Sequence, residues 1–372
     1  MRYDAAIIGA GPAGSAAARL LAQAGWRVAL VEKAAFPRRK VCGEFISATT
    51  LPVLKACGIA APFIAAAGPP VVRIGAWAGA TMLAAPREKL WGRALGREHL
   101  DVMLRDAAVA AGATLLQPAE LMGLRREGDT HFCELDDARE IAARTVVVAC
   151  GSWNPKGIFA VRNAAPAPSD LFAFKAHFKD ASLPPGLMPL LAFPGGYGGL
   201  VESDGGRVSL SCCIRRDALA ATRGRHGGKA GEGVLAHILD TTKGAWLALN
   251  QAKLEGSFLS TGPIQPGIRS RHKDGLYFTG NIAGEAHPVI AEGISMAIQS
   301  SGLLARMLIA GRGEAYAGEW QRHFAPRIRA AALFAHLAMS DAGRLAGLAV
   351  LRAAPGLLDL GARISGKHPL AA

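Results

Sequence analysis

Three glycines near the N-terminus, Gly9, Gly11 and Gly14, have the spacing G-x-G-x-x-G. This spacing suits a phosphate-binding turn. The first glycine permits a tight turn, the second lets the backbone approach a pyrophosphate, and the third lets a helix pack close to a strand. Pro12 and Ala13 lie inside the turn, and the helix that follows directs free N–H groups and positive potential at an anion.

A strand, a helix and a second strand must position this turn. Residues 3–8 are an apolar run, residues 15–25 have a helical apolar pattern, and residues 27–31 form a second apolar run. Glu32 ends that second run eighteen residues after Gly14, where its carboxylate can accept hydrogen bonds from both hydroxyls of a ribose. The β-α-β pattern therefore predicts a bound dinucleotide. A glycine-rich turn in another kind of α/β protein is the alternative.

Composition indicates a folded protein with an anionic partner. The chain has 372 residues, of which 51% are hydrophobic, and a length of this kind predicts two or three structural units. The net charge of +13 and the isoelectric point of about 9.8 favour a dinucleotide, an acidic substrate, a carrier protein or a membrane surface as partner. We expect no nucleic acid, because no basic run is interleaved with aromatic residues.

The cysteines and the apolar runs bear on location. The six cysteines include no C-x-x-C pair, which predicts a reduced, cytoplasmic protein without a metal site. No signal pattern precedes the first strand, and no uncharged apolar run reaches eighteen residues, so we expect no membrane-spanning helix.

The rest of the chain predicts an α/β fold with a discontinuous Rossmann-type domain. This dinucleotide-binding domain is predicted to comprise residues 1–68, 96–155 and 276–312. Short apolar runs separated by Pro and Gly predict a mostly antiparallel β-sheet domain that covers the substrate. It is predicted to comprise residues 69–95 and 156–275, with a helical insert near 229–249. An Ala- and Leu-rich tail, residues 313–372, is predicted to form C-terminal helices.

Three stretches resemble the geranylgeranyl reductase family of FAD-dependent oxidoreductases. That family usually reads G-D-A-A-G-x3-P-x2-G-E-G-I late in its chain. The similar residues here are Gly280-Asn281-Ile282-Ala283-Gly284, Pro288, Glu292-Gly293-Ile294, Ala297 and Ser300. Val41-Cys42-Gly43-Glu44 is similar to the C-G-E loop of the family. Arg97 resembles the arginine that holds the FAD diphosphate across the wider superfamily, which also includes aromatic hydroxylases.

The resemblance implies FAD as the cofactor, held in the fold of these families. The cofactor-binding residues that it and the first turn indicate are Gly9, Gly11, Pro12, Ala13, Gly14, Glu32, Lys33, Arg39, Cys42, Gly43, Arg97, Leu121, Gly280, Asn281, Gly293 and Ile294. A helix that opens at Gly293 would direct N–H groups at the N1/C2=O edge of the flavin, which is anionic when reduced. Asn281 replaces the aspartate of the family and can still accept from a ribityl hydroxyl, or it is a turn residue. Ala291 and Phe45 replace family glycines and are expected to narrow the site.

The candidate catalytic residues each have a second interpretation. Cys42 is implied to lie on the flavin face, or it is a small buried apolar residue. His287 could donate a proton to substrate, or it only precedes a helix. The basic residues 38–40 could meet phosphates or form a solvated loop. Glu44 and Glu292 could be helix caps or proton relays.

Hydride transfer is the reaction that the resemblance favours. In it, flavin N5 exchanges hydride with a C=C or C–C bond of a hydrophobic substrate, either an isoprenoid lipid or a polyketide-derived or aromatic metabolite. Aromatic hydroxylation is the alternative, but hydroxylases usually carry Asp-Gly where this chain has Cys150-Gly151. The halogenase signature W-x-W-x-I-P is absent. A non-enzymatic flavin-binding module is a further alternative.

The electron donor and the tail complete the predictions. No second G-x-G-x-x-G marks a nicotinamide domain, so NAD(P)H is expected to bind transiently, or a ferredoxin partner delivers electrons to the basic chain. The tail carries basic residues among Leu and Ala, which suggests peripheral contact with a membrane or a lipid substrate. A helical layer packed on the core is the alternative.

Overall fold

The structure, a computed structural model, describes residues 2–152, 165–273 and 275–367. Its strands are β1 (Arg2–Ile8), β2 (Val28–Val31), β3 (Phe45–Ser47), β4 (Arg73–Ala78), β5 (Thr81–Ala84), β6 (Gly92–Ala94), β7 (Thr114–Leu116), β8 (Leu121–Glu127), β9 (Thr130–Leu135), β10 (Glu140–Val148), β11 (Leu171–Lys179), β12 (Leu187–Phe193), β13 (Gly196–Glu202), β14 (Val208–Arg215), β15 (Lys253–Ile264), β16 (Gly267–Ile268), β17 (His272–Lys273), β18 (Leu276–Phe278) and β19 (Gly284–Glu285). Its helices are α1 (Pro12–Gln23), α2 (Leu51–Ala56), α3 (Ala60–Ala66), α4 (Arg97–Ala110), α5 (Arg216–His226), α6 (Ala230–Thr241), α7 (Lys243–Leu249), α8 (Gly293–Ile309), α9 (Tyr316–Met339), α10 (Asp341–Ala353) and α11 (Leu357–Ile364).

The first sheet is built on parallel strands that are buried on both faces. Strands β18, β10, β1, β2 and β7 are parallel neighbours in that order, and β17, β9 and β8 extend the sheet in antiparallel pairings. The apolar runs in β1 and β2 are buried at nearly every position, as expected for strands covered by helices. Ile8 pairs with Val31 and Val148, so the carboxyl ends of three strands meet at one edge. This edge is where a parallel sheet binds its ligand.

Helix α1 lies unusually close to this sheet. A Cβ atom at Gly14 would lie 1.7 Å from the carbonyl oxygen of Gly9, so only glycine fits there. Small residues continue the close packing, since Ala16 and Ala17 are fully buried. Helices α4 and α8 pack beside α1, so the amino end of α8 lies near the glycine turn.

The second sheet has seven strands in the order β15, β11, β14, β13, β12, β4 and β5. All its pairings are antiparallel except that of β12 with β4. Alternation along β11 gives the sheet two different faces. Phe174, Ala176 and Phe178 join an apolar cluster with α6 and α7, whereas Ala173 joins the core of the first domain. The residues on the Ala173 face therefore look toward the dinucleotide domain.

The predicted fold class is confirmed, with local corrections. The structure combines a Rossmann-type domain, a mostly antiparallel second sheet and C-terminal helices. The helix predicted over 15–25 runs from Pro12 to Gln23, because proline suits the first turn of a helix. Residues 45–47 form β3, which pairs with β6, and α2 follows it. Strand β13 and helix α5 were not predicted from the sequence.

Several predicted boundaries are placed differently or lie outside the described residues. The predicted domain boundary at 155–156 and the last five residues of the tail lie outside the described part. Strands β4 and β5 belong to the seven-stranded sheet, whereas β6 pairs with β3. In the described part, no single helix is long and apolar enough to cross a membrane. The pair α10 and α11 together have the length and composition, but they are bent by 116°.

Because α1 packs so close to the sheet, we expect a single methyl group added at Gly14 to destabilise the fold. Gly14→Ala is expected to lower the free energy of unfolding by about 3 kcal/mol or more, because its Cβ overlaps backbone that cannot move aside. Gly318→Ala in α9 is the matched control, since nothing lies within 4 Å of its added Cβ. The control should gain roughly 0.5–1 kcal/mol. Urea unfolding followed by circular dichroism measures both, and equal stabilities would contradict the close packing.

Candidate cofactor and substrate site

The first glycine turn is closed on one side and open on the other. Gly9 has a φ of +105°, and a Cβ there would lie 2.7 Å from the carbonyl oxygen of Ala149. Gly11 has ordinary extended backbone, and the nearest atom to its ideal Cβ is a guanidinium nitrogen of Arg97, 3.7 Å away. The open side at Gly11 is therefore a cradle next to a cation, at the amino end of α1. This arrangement suits a diphosphate.

Glu32 lies at the end of β2 as predicted, but its carboxylate already has partners. The side chain is 4% exposed and accepts hydrogen bonds from the N–H groups of Ala10 and Ala34, each at 2.9 Å. The guanidinium of Arg38 donates to both carboxylate oxygens, at 2.8 and 3.2 Å. Arg38 therefore occupies the carboxylate oxygens of Glu32 that we expected a ribose to contact. A bound ribose would have to displace Arg38. Arg38 is not part of a solvated loop.

A second buried carboxylate, that of Asp101, forms an ion pair with Arg97, the arginine that the family resemblance indicated. Arg97 donates to both oxygens of Asp101 at 2.6 and 2.7 Å, and Asp101 is fully buried. Burial opposes the charge of Arg97, but Asp101 raises the pKa of its guanidinium. Burial, together with the charges of Arg38 and Arg97, lowers the pKa of Lys40. Arg38, Lys40 and Arg97 are therefore close to one another, and Arg97 lies next to the open side of the glycine turn.

The late glycine turn touches the first one. Gly280 has a φ of +71°, and a Cβ there would lie 3.0 Å from the Cβ of Ala13. The next residue, Asn281, donates through its amide nitrogen to Ser152 Oγ and Glu285 Oε1, both at 3.2 Å. Its side-chain oxygen remains available as an acceptor, the role we predicted. A cavity lies beside this turn, and its lining includes Gly280, Asn281, Gly293, Trp320 and Phe324.

Helix α8 begins in open space at Gly293. No atom lies within 4 Å of an ideal Cβ at this position, and the first N–H groups of a helix have no acceptors within it. Ile294, by contrast, is buried against the α1 and α4 side of the core. Glu292 precedes the helix, is fully buried, and contacts Ser47 Oγ and Lys367 Nζ, both at 3.1 Å. Glu292 is therefore an ion-paired residue, supported from the far end of the chain.

The Cys42–Gly43 loop lies between the two domains. The Cys42 sulfur accepts a hydrogen bond from the Glu44 N–H at 3.4 Å and also interacts with the Arg97 guanidinium. An ideal Cβ at Gly43 would lie 3.4 Å from Ser211 Oγ on β14. Cys42 is thus directed toward the diphosphate cradle. Its catalytic role stays a prediction.

A buried ion cluster ties this loop to β11. Glu44 has a φ of +61°, and its carboxylate contacts Lys175 Nζ and, at 2.8 Å, His177 Nε2. All three side chains are fully buried. The guanidinium of Arg39 lies 3.0 Å from His177 Nδ1, so Arg39 is directed at the second sheet. We predicted Arg39 as a cofactor residue, and in the structure its guanidinium contacts His177.

The electrostatics of this cluster are those of an ion pair. Burial would raise the pKa of Glu44, but the hydrogen bond from His177 and the charge of Lys175 lower it to about 2. Glu44, Glu98 and His177 are close enough together to surround a cation. However, Glu44 is paired with Lys175, and Glu98 is paired with Arg207 at 2.6 Å. These cations already neutralise the carboxylates that a metal ion would need.

His287 lies between the Gly280 turn and α8, and it contacts the second sheet. Its Nδ1 is 3.2 Å from the hydroxyl of Tyr197 on β13. Burial raises the pKa of Tyr197 and lowers the pKa of His287. Both groups are therefore neutral near pH 7, with the tyrosine protonated and able to donate. Sequence reasoning found the histidine but missed the tyrosine.

Two predicted cofactor residues lie at the edge of the site. Lys33 is largely exposed and its ammonium is 3.5 Å from Glu120. The side chain of Leu121 is buried in the core, where β8 pairs with β9, so only its backbone could contact a ligand. Of the residues that sequence reasoning missed, Lys175 had a visible signal. It lies within a strand whose other positions are mostly apolar.

These observations fit an FAD. The cradle at Gly11 and the open end of α8 at Gly293 are places that a Cβ would fill. The two turns are in contact at Gly280 and Ala13, and the cations lie on the diphosphate side. The Gly43 loop and the Ala173 face of the second sheet would enclose the remainder of the cofactor.

Comparisons with known proteins agree with this fit. Residues 2–155 match the family model described as FAD binding domain. The menaquinone reductase of Mycobacterium tuberculosis is 26% identical over 327 residues, which is 82% of this chain and 76% of the relative. The menaquinone reductase of Mycolicibacterium smegmatis is 24% identical, over 87% of this chain and 81% of the relative. The chain is thus similar to FAD-binding domains over residues 2–155 and to these reductases over most of its length.

Solved structures share the fold. The flavin-dependent brominase Bmp2 has a TM-score of 0.77 and 18% identity, over 99% of this chain and 94% of its own. The myxobacterial chondrochloren halogenase CndH has a TM-score of 0.72 and 22% identity, covering 87% and 79%. PqsL of Pseudomonas aeruginosa, a probable FAD-dependent monooxygenase, has a TM-score of 0.70 and 19% identity, covering 93% and 99%. At these identities the likeness concerns the fold alone.

The open cradle predicts that a methyl group can block the cofactor without harming the fold. Gly11→Ala should leave the free energy of unfolding nearly unchanged, because its backbone and surroundings accept a Cβ. It should weaken FAD binding to the apoprotein at least about tenfold, roughly 1.4 kcal/mol, because the methyl group stands in the diphosphate path. Titration followed by flavin fluorescence measures this. Gly224→Ala, in open space on α5, is the control, and equal FAD affinity of both variants would refute the assignment.

The Glu44 cluster predicts a pH-dependent stability. Because the pKa of Glu44 is lower in the folded chain, at about 2, than its usual 4.5, its contribution is complete above about pH 5 and is lost as the pH falls toward 2. Glu44→Gln should be less stable than the natural chain by about 3–5 kcal/mol at pH 7, since Lys175 is left buried without its partner. The difference should shrink toward pH 3.

Urea unfolding at several pH values measures the Glu44 effect. Asp129→Asn is the control, because that side chain is fully exposed and should show no pH-dependent difference. A Glu44→Gln difference that stays constant from pH 7 to pH 3 would show that the pairing does not govern stability.

Proposed function

We propose that this chain is an FAD-dependent reductase, similar to the geranylgeranyl reductases, that reduces a C=C bond of a hydrophobic substrate. The observation that supports this most directly is the contact between Tyr197 and His287 at 3.2 Å. It joins the second sheet to the turn that leads into α8. A reduction of this kind needs one hydride and one proton, and this pair is a source of the proton.

The neutral state of both groups sets the direction of proton transfer. Burial raises the pKa of Tyr197, so its hydroxyl keeps its proton, and in this proposal it donates to Nδ1 of His287. Burial lowers the pKa of His287, so its ring is neutral, and the proposal places the ring proton on Nε2. His287 can pass that proton to a substrate carbon while Nδ1 takes the proton of Tyr197. In this proposal Tyr197 is the proton source and His287 is the relay.

The cofactor would be held by the residues described above. Arg97 and the N–H groups of α1 would bind the diphosphate, and the open end of α8 at Gly293 would face the flavin edge. Bound FAD supplies a two-electron centre that exchanges hydride with the substrate. The chain contributes orientation and exclusion of water, since Trp320 and Phe324 on α9 close the cavity beside the late turn.

Sequence relatives favour reduction over hydroxylation. The curated relatives that cover four-fifths of this chain are named menaquinone reductases. The Asp-Gly pair that is usual in hydroxylases is replaced by Cys150-Gly151, and the halogenase signature is absent from the sequence. Monooxygenation is therefore the alternative that the experiment must exclude.

The proposed substrate and electron donor rest on the resemblance, on the relatives and on the charge of the chain. A lipid-soluble isoprenoid or quinone is the proposed substrate class, with a polyketide-derived metabolite as the alternative. NAD(P)H bound transiently, or an acidic ferredoxin attracted by the net charge of +13, would supply the electrons.

Oxygen dependence separates the two reactions. We expect the FAD-loaded chain, reduced with dithionite under anaerobic conditions, to transfer two hydrogens to menaquinone or to geranylgeranyl diphosphate. Mass spectrometry of the extracted product measures the gain, and loss of the reduced flavin spectrum gives the rate. Turnover that occurs only in air and adds an oxygen atom would establish a monooxygenase instead.

Tyr197→Phe tests the proton route in the same assay. It removes the hydroxyl and keeps the ring, so FAD binding should be unchanged while substrate reduction slows by about a hundredfold. Tyr277→Phe is the matched control, because that tyrosine packs against Tyr316 away from His287. Equal rates of the two variants would remove Tyr197 from the mechanism.

A further inference from the structure

The last three helices expose an unusual share of apolar side chains. The described residues include sixteen large hydrophobic side chains that are exposed, and seven of them lie between residues 333 and 364. These seven form what we name the C-terminal apolar surface: Leu333, Leu337, Leu345, Val350, Leu357, Leu360 and Ile364. Single exposed apolar residues are ordinary, but a concentration on consecutive helices indicates a contact surface.

Helix α10 has its apolar side facing outward. None of its residues is buried, and Leu345 and Val350 are 71% and 54% exposed. The exposed residues between its charged ends recur at helical spacing: Ala342, Leu345, Ala346, Ala349 and Val350. A surface helix of a globular protein normally turns such a face toward the core. The half-buried side of α10 holds Leu348 and Leu351 together with Arg344 and two glycines, so the chain leaves a second apolar face of the helix uncovered.

Cations accompany the apolar surface. Arg329, Arg352 and Arg363 are exposed, and none is within ion-pair distance of a carboxylate in the described part of the chain. Arg352 instead donates to the hydroxyl of Thr81 at 2.5 Å. Arg344, in contrast, is paired with Asp341 at 2.6 Å. Exposed arginines beside an apolar surface suit a layer of anionic headgroups.

We propose that the C-terminal apolar surface lies on an anionic lipid bilayer. Apolar side chains would enter the headgroup boundary, and the unpaired arginines would meet lipid phosphates. A second copy of the chain fits less well, because it would bring two sets of these arginines together. The net charge of +13 adds long-range attraction to the same partner.

The chain lies on the bilayer and does not cross it. Helices α10 and α11 are bent by 116° relative to each other. Leu358 and Ala362 of α11 are buried, and Ala362 packs in a cluster with Phe45 and Trp91. Helix α11 is therefore anchored to the core on one side while Leu360 and Ile364 face outward.

The anchoring brings the surface close to the candidate site. Phe45 lies two residues after Gly43 and shares an apolar cluster with Ala362 of α11, so α11 is close to the Cys42–Gly43 loop. A lipid-soluble substrate could then enter from the bilayer. This use of the surface rests on the proposed function, whereas the binding itself does not.

Vesicle flotation of the full chain tests the proposal without any assay of activity. The chain should float with vesicles of mixed phosphatidylcholine and phosphatidylglycerol, and at least tenfold less with phosphatidylcholine alone. Leu345→Glu combined with Val350→Glu should reduce flotation at least tenfold, and both side chains are exposed enough to leave folding intact. Val109→Glu on α4 is the control, because Val109 is also exposed at 42% but lies outside the surface. Arg329→Gln combined with Arg363→Gln should weaken binding and its dependence on salt.

Light scattering on the same samples tests whether a second copy of the chain, instead of a bilayer, covers the surface. A dimer of the natural chain that Leu345→Glu and Val350→Glu convert to a monomer would assign the surface to a second copy and overturn the proposal. Equal flotation of all variants, or none by the natural chain, would also overturn it. Flotation with loss of substrate reduction would leave the surface in place and refute only the proposed function.

Discussion

The contact between Gly280 and Ala13 is the constraint on which the rest of the structure depends. It brings the turn before α8 against the turn before α1, where a Cβ on Gly280 would lie only 3.0 Å from that of Ala13. The amino ends of both helices consequently point to one region. A cofactor with a diphosphate at one end and a ring at the other needs such a pair of helix ends. The close packing of these two turns is thus the condition for a cofactor site between the helix ends.

Buried charges connect the parts around this contact. Glu44 and Glu292 are fully buried, and each is held by a lysine that is distant in the sequence, Lys175 and Lys367. Because removing one member of a buried pair costs more than the pair contributes, these links constrain where the loop and the C-terminus can lie. Glu44 also has left-handed backbone, which persists only where its surroundings fix it. The cluster therefore connects the Cys42–Glu44 loop to the second sheet.

The two faces of the second sheet have different roles. The face with Phe174 is an apolar core against α6 and α7 and gives stability. The face that continues from Ala173 places polar groups, among them Lys175 and Tyr197, toward the dinucleotide domain. Strand alternation makes this division possible, since adjacent residues of one strand serve opposite faces.

The sequence by itself determined the elements whose residues are close along the chain. The β-α-β unit and Glu32 at the end of β2 follow from local spacing, and Arg97 and the opening of α8 at Gly293 follow from short motifs that resemble those of a known family. The structure agrees with each of these positions. Short-range periodicity and turn chemistry are sufficient for them, because each depends on neighbours within one or two elements.

Only the tertiary structure decided the partners of the charged and polar groups. Arg38 and Arg39 are adjacent, yet one binds Glu32 and the other contacts His177. The pairs of Tyr197 with His287 and of Glu292 with Lys367 join residues that are at least seventy-five positions apart. No local pattern encodes such contacts, because they depend on how separate elements pack and on which buried charge is nearest. The exposed face of α10 was decided in the same way, since its apolar spacing alone is equally typical of a helix packed in the core.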